Sequence, residues 1–207
     1  MRLLTTQAMP QMRAHAHANL GRLVTPRHYP SMREHGSELV WGADNDCFQG
    51  LDAQRWRAML DSVAAARDRG RLVFCTVPDA VGDARATAEL FKVHAHELET
   101  RGLPLGYVLQ DGQERVPIPW ERLAAVFVGG SDDFKLGADA RELVGEAKRR
   151  GLWAHMGRVN SDQRARYAHA IGCDSVDGTS HTTWRDRYLD RRLEQLASLD
   201  RQLELAA

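Results

Sequence analysis

Short apolar runs that stop on a polar residue or glycine recur along this chain, and most are followed by apolar positions at helical spacing. The clearest unit spans 151–179. Leu152 to Met156 is apolar and ends in Gly157-Arg158. Ser161 is a good helix N-cap, with Asp162 in the first turn where the helix dipole favours a carboxylate. Ala165, Ala168 and Ile171 then recur on one face, and Gly172 suits a C-cap. Cys173 to Val176 reads as extended, and the unit ends on Asp177-Gly178-Thr179.

The same rhythm runs through the preceding residues. Arg2–Thr6 and Leu20–Thr25 are candidate strands, with a weak helix at Gln11–Ala18 between them. Glu38–Ala43 is a third strand, closed by Asp44-Asn45-Asp46. Trp56, Leu60, Val63 and Ala64 mark an amphipathic helix that ends at Gly70. Leu72–Val77 is a nearly continuous apolar run, as expected of a parallel strand buried on both faces, and stops at Pro78-Asp79. Ala84, Ala88, Phe91, Ala95 and Leu98 define the next helix. Pro104–Leu109 ends in Gln110-Asp111-Gly112, and Ala124–Val128 in Gly129-Gly130. A helix from Leu136 to Arg149 turns Ala140, Val144 and Ala147 inward, and a basic helix from Thr183 to Leu205 closes the chain.

Eight strands alternating with helices predict an α/β fold, a compact (β/α)8 TIM-like barrel, as a single domain over 1–207 with the basic helix 183–205 appended. An open doubly wound sheet is the alternative, because the first two strands carry the weakest patterns. The length suffices for one well-packed core. With 28 Lys+Arg against 28 Asp+Glu, no global basic field marks a nucleic-acid binder, so any such contact is expected from a local patch. The three cysteines, Cys47, Cys75 and Cys173, lack CxxC spacing, which argues for a reducing compartment and against structural zinc. No signal peptide or apolar run of membrane length is visible, and a cytoplasmic location without membrane association is expected.

Polar residues follow the strands with regularity: Asp44, Asp79, Gln110, Gly129-Gly130, Arg158 and Asp177. In a barrel the C-terminal strand ends share one face, so these residues would converge on one pocket. Polar loops alone account for about half of them singly, but poorly for six strands in succession. No phosphate loop, nucleophile elbow or dinucleotide fingerprint is present. The pairs His15/His17 and His94/His96 sit in helical patterns, where positions i and i+2 face apart, so neither a metal nor another cofactor is expected. Carboxylates sharing a pocket point instead to chemistry at an acetal-like carbon, one acid attacking and another handling protons.

These residues resemble the tRNA-guanine transglycosylase superfamily, and particularly its short phage and bacterial members similar to DNA 7-deazaguanine transglycosylases. The likeness runs in order from about Val40 to Thr179. Asp44-Asn45-Asp46-Cys47-Phe48-Gln49 is similar to the family's DSGGFQ motif, whose Asp acts in proton transfer. Asp79 falls where the family has a base-recognising Asp. Tyr107–Gly112 resembles its IVQGG segment, whose Gln contacts the base, and Phe127–Gly130 its IGG turn. Met156-Gly157 through Asp177 resembles the MGVG…GIDMFDCV run, which carries the covalent nucleophile. The count between Gly157 and Asp177 differs by one residue from the family's, and Asp174 is the lesser candidate for that role. Two family glycines are Asp46 and Cys47 here, and the C-terminal zinc site of three cysteines and a histidine is missing.

The resemblance implies a (β/α)8 pentosyltransferase that replaces guanine in nucleic acid, DNA rather than tRNA, with a 7-deazaguanine such as 7-cyano-7-deazaguanine. Asp177 would attack C1′ and Asp44 would move protons to and from the bases. Asp79, Gln110, Gly129 and Gly130 would read the base, flipped or already unpaired. Phe48 or Tyr107 could stack on it, although burial in the core is the commoner fate of both. Arg158 and the terminal helix, through Arg185, Arg187, Arg191 and Arg192, would hold the backbone, and a partner protein could assist that grip. Two alternatives remain: an N-glycoside hydrolase that releases a guanine-type base to water, and a non-catalytic subunit that binds nucleic acid or base.

Overall fold

Eight short strands form in chain order: β1 Arg2–Thr5, β2 Leu20–Val24, β3 Val40–Ala43, β4 Arg71–Thr76, β5 Leu105–Leu109, β6 Ala125–Val128, β7 Trp153–Met156 and β8 Ser175–Val176. This computed structural model describes residues 1–6, 17–29, 39–66, 71–178 and 187–206. Every strand pairs in parallel with its chain neighbour, and β1 pairs with β8 as well as β2, so Leu3 faces both Leu20 and Val176. The sheet is therefore closed, and the open doubly wound alternative is excluded. Even the two weakest sequence patterns, β1 and β2, form barrel strands.

Alternate residues of each strand turn into the barrel. Leu4, Leu23, Phe74, Val108, Ala125 and Phe127 form an interior cluster, distinct from the larger layer between strands and helices. Space for the ring of Phe74 comes from Gly42, where a Cβ would lie 2.5 Å from the ring. Phe74 and Phe127 meet edge to face at 6.0 Å, and His155 tilts against both, at 5.2 and 4.5 Å.

The helices are α1 Ala53–Ala66, α2 Ala84–Glu99, α3 Asp132–Leu136, α4 Ala138–Arg149, α5 Asp162–Ala170 and α6 Arg187–Ala206. α1 buries Trp56, Leu60 and Val63, and α2 buries Phe91, Ala95 and Leu98, with Leu60, Val63, Phe91 and Leu98 each worth roughly 1.5–3 kcal/mol when fully removed from water. Asp83 caps α2 by accepting the Ala86 N–H at 2.9 Å. The helix expected over Leu136–Arg149 forms as α4 from Ala138, and the short α3, capped by Ser131, precedes it across Gly137. The expected helix at Gln11–Ala18 lies outside the described residues over 11–16. His17 and Ala18 are not helical, because the Leu20 N–H donates to His17 O in a turn that starts β2. Only α6 of the expected helix 183–205 is described, from Arg187 onward.

Candidate functional site

A cavity of about 290 Å³ opens at the C-terminal ends of the strands. Its lining includes Asp44, Asp79, Gln110, Gly129, Gly130, Arg158 and Asp177, all seven pocket residues expected from sequence. Leu4, Leu23, Val108 and Phe127 supply an apolar base, beneath the polar rim. The arrangement suits a flat ring with polar edges.

Asp44 follows β3. The Asn45 N–H donates to Thr76 Oγ1 at 2.8 Å, and the Thr76 hydroxyl donates to Asp44 Oδ1 at 3.2 Å. Burial, and then the neighbouring charges of Asp79, Asp177 and Asp46, push the Asp44 carboxyl up to about 7. Such a group exchanges protons near neutrality.

Asp79 accepts from two amides, Asn45 Nδ2 on Oδ1 at 2.8 Å and Gln110 Nε2 on Oδ2 at 2.6 Å. Burial raises its carboxyl above the ordinary range, against the lowering effect of those donors. Gln110 is itself fixed, its Oε1 accepting the Gly82 N–H at 2.8 Å. The Gly129 N–H continues the sheet to Leu109 O at 3.0 Å. Gly130 turns at φ +73°, and a Cβ there would meet Asp111 Oδ2 at 2.6 Å. Asp111 secures this turn by accepting both the Ser131 N–H and the Ser131 hydroxyl.

Asp177 follows β8; its Oδ1 accepts the Arg158 N–H at 2.8 Å, and its Oδ2 lies at hydrogen-bond distance, 3.0 Å, from His155 Nε2. The Arg158 amide reaches it because Arg158 adopts φ +58°, uncommon for a side-chain-bearing residue. The Arg158 guanidinium donates to Gly130 O at 2.6 Å and lies 4.7 Å over the Phe48 ring. Asp174, the lesser candidate for the nucleophile, lies away from this cavity. It ion-pairs with Lys148 at 2.6 Å and accepts the Ala154 N–H at 2.7 Å.

Tyr107 takes the commoner fate expected of it, buried against Phe91 with ring centres 5.2 Å apart, and cannot stack on a ligand. Other placements differ from the expectations. Phe48, expected in the core, is 61% exposed at the cavity rim. Arg192 does not face solvent: it is buried, donating to Ser161 O at 3.2 Å and Gln195 Oε1 at 2.8 Å, and so ties α6 to the start of α5. Arg191 is exposed, 3.4 Å from Asp162. Arg185 lies outside the described residues, and Arg187 opens α6. His155 escaped the sequence reading, because a histidine inside an apolar strand carries no motif. Its one signal was strand parity with Gly157, two residues on and on the same barrel face.

Among the described residues no group of three or more His, Cys, Asp or Glu side chains is arranged to hold a metal ion, and no helix is long and apolar enough to cross a membrane. The Cys47 thiol beside the cavity is pushed up to about 12, first by burial, which keeps it protonated and a poor nucleophile.

No protein-family model matches the sequence, and no curated protein matches it. Among solved structures, one described as native KDPGal aligns with a TM-score of 0.56 at 9% identity, covering 97% of this chain and 93% of that one. The Bacillus subtilis YkuI protein, with an EAL domain and in complex with c-di-GMP and calcium, aligns at 0.48 and 15% identity over 87% of this chain and 48% of its own. The YdjI aldolase from Escherichia coli K12 aligns at 0.40 and 12% identity, over 94% and 91% of the two chains. The first of these likenesses shows the (β/α)8 fold, and the fold alone.

Proposed function

We propose that the protein is an enzyme, a base-exchange transglycosylase that replaces guanine in nucleic acid with a 7-deazaguanine through a covalent Asp177–glycosyl intermediate. One observation carries this reading. Asp44, Asp79, Gln110, Gly129-Gly130, Arg158 and Asp177, spread over the chain in the order of the transglycosylase-like motifs, line a single cavity. A second detail supports the alignment of the first motif. Asp46, standing where the family has a glycine, adopts φ +59°, a conformation cheapest for glycine and tolerated best otherwise by Asp and Asn.

In the first half-reaction an Asp177 oxygen attacks C1′ of the target guanosine. The C1′–N9 bond breaks, and the departing guanine takes the proton of Asp44, which is held ready by the raised carboxyl. In the second half the incoming base gives a proton to Asp44, its N9 attacks C1′, and the C1′–O bond to Asp177 breaks. Asp79 keeps free lone pairs beside the two amides that orient it, and these accept the N1–H and exocyclic amine of the base. The Gly130 turn presents backbone to the opposite edge. A 290 Å³ cavity receives a base only after it leaves the stack, so the substrate nucleotide is flipped or unpaired. The likeness to the short members of the family makes DNA the favoured polymer.

The test is a chase of the intermediate. Stoichiometric guanine-containing oligonucleotide is mixed with protein and resolved under denaturing conditions. A covalent species that maps to Asp177, is absent from Asp177→Asn and is discharged by added guanine is expected. Discharge by water at the same rate as by base would turn the assignment to the hydrolase. An adduct on another residue would overturn the role of Asp177.

A further inference from the structure

We propose that His155 is a positioning residue for Asp177, its ring held by Ser175, which Trp153 braces in turn, and its Nε2–H aimed at the Asp177 carboxylate. This rests on the nucleophilic role given to Asp177 above and adds a residue that the motifs do not contain. His155 has no exposed surface and sits on β7 between the rings of Phe74 and Phe127. Its Nε2 is 3.0 Å from Asp177 Oδ2, and its Nδ1 is 2.8 Å from Ser175 Oγ.

The Asp177 end sets the proton arrangement. As the ionised nucleophile proposed above, Asp177 is an acceptor only, so the facing His155 Nε2 carries the proton. At the other end Trp153 Nε1–H, a donor only, donates to Ser175 Oγ at 2.8 Å. Ser175 keeps a second lone pair and its own hydroxyl proton, so it meets Nδ1 as donor to a neutral ring or as acceptor from a doubly protonated one. Nε2–H is present in both cases.

The consequence is a carboxylate held by two donors at right places, His155 from the barrel interior and the Arg158 amide from the mouth. Together they set the direction in which Asp177 meets C1′. The Nε2–H bond also favours the charge that returns to Asp177 when the glycosyl ester is broken, so it acts on turnover more than on base binding.

The experiment pairs a spectroscopic readout with kinetics. In ¹⁵N spectra of the wild-type protein the His155 ring, assigned by its loss in His155→Gln, should show a protonated Nε2. Asp177→Asn, which removes the ionised acceptor, should shift the ring toward a tautomer mixture. In base exchange, His155→Leu should lower kcat by about 10- to 100-fold, the loss expected for one hydrogen bond to a charged group, with KM for the base within about threefold. His155→Gln, which keeps an N–H donor, should recover part of kcat. A bare Nε2 in wild type, or an undiminished kcat in a folded His155→Leu, would overturn the proposal. Failure of wild type to exchange any base would instead overturn the function proposed for the site, and the ring nitrogens would still decide whether His155 is set against Asp177.

Discussion

Gln110 Nε2 donates to Asp79 Oδ2 at 2.6 Å while Gln110 Oε1 is held by the Gly82 N–H at 2.8 Å. The amide is thus oriented from both ends, and its first task is to aim Asp79. Asp79→Ala should therefore raise KM for the incoming base by about 100- to 10,000-fold, as two charge-assisted hydrogen bonds vanish. Gln110→Ala should raise KM less and leave Asp79 able to bind. Steady-state kinetics with labelled guanine measure both. Equal effects of the two substitutions would contradict this division.

Asp44 gives a pH signature. It must be protonated when guanine leaves and ionised when the next base enters, so the exchange rate should peak where the two forms are equally populated, at about 7. Asp44→Asn should abolish the peak together with most of the rate. An optimum two or more units away would assign the proton transfer to another group.

The same carboxyl shapes stability. The folded protein holds the Asp44 proton up to about 7, whereas an unfolded Asp releases it near 4, so the folded state binds more protons between these values. Stability contributed by Asp44 is therefore full below about pH 4 and falls as pH rises through 7. Asp44→Asn should match wild type in urea denaturation at about pH 4 and exceed it by on the order of 4 kcal/mol at pH 8. A gain independent of pH would contradict the raised carboxyl.

Gly130 tests the backbone turn. An alanine there must hold φ +73° and push against the carboxylate of Asp111, only 2.6 Å from the new Cβ. The conformational cost alone is about 1–2 kcal/mol. Thermal unfolding of Gly130→Ala should show this loss, with base binding weakened as the turn shifts.

The periodicity of apolar positions made the alternation of parallel strands and helices legible, through continuous runs such as Leu105–Leu109. An open doubly wound sheet leaves the same runs, and only the β1–β8 pairing closes the barrel. The pocket residues were equally readable, since Asp44, Asp79 and Asp177 each follow a strand at once. What eluded the sequence depends on direction rather than order. Phe48 and Tyr107 have the same burial tendency, yet one lies on a short turn at the mouth and the other faces α2. His155 and Arg192 acquire their roles from partners twenty or more residues away, Asp177 and Ser161 respectively. A charge run such as Arg191-Arg192 does not reveal which arginine the helix turns inward.

That pair separates readily. Arg192→Ala removes a buried anchor of α6 and should cost about 2–3 kcal/mol in denaturation. Arg191→Ala should leave stability unchanged and, if α6 meets phosphate, reduce the salt dependence of oligonucleotide binding by about one contact. The opposite pattern would contradict the burial of Arg192.

The most direct measurement of the central claim is the entry of labelled guanine or 7-cyano-7-deazaguanine into DNA and, in parallel, into tRNA, with wild type and Asp177→Asn. Label should enter DNA with the wild-type protein and be lost in the variant. Label entering tRNA alone would keep the mechanism and reverse the choice of polymer. Undiminished incorporation by Asp177→Asn, or no label in either polymer with wild type, would contradict a transglycosylase built on Asp177.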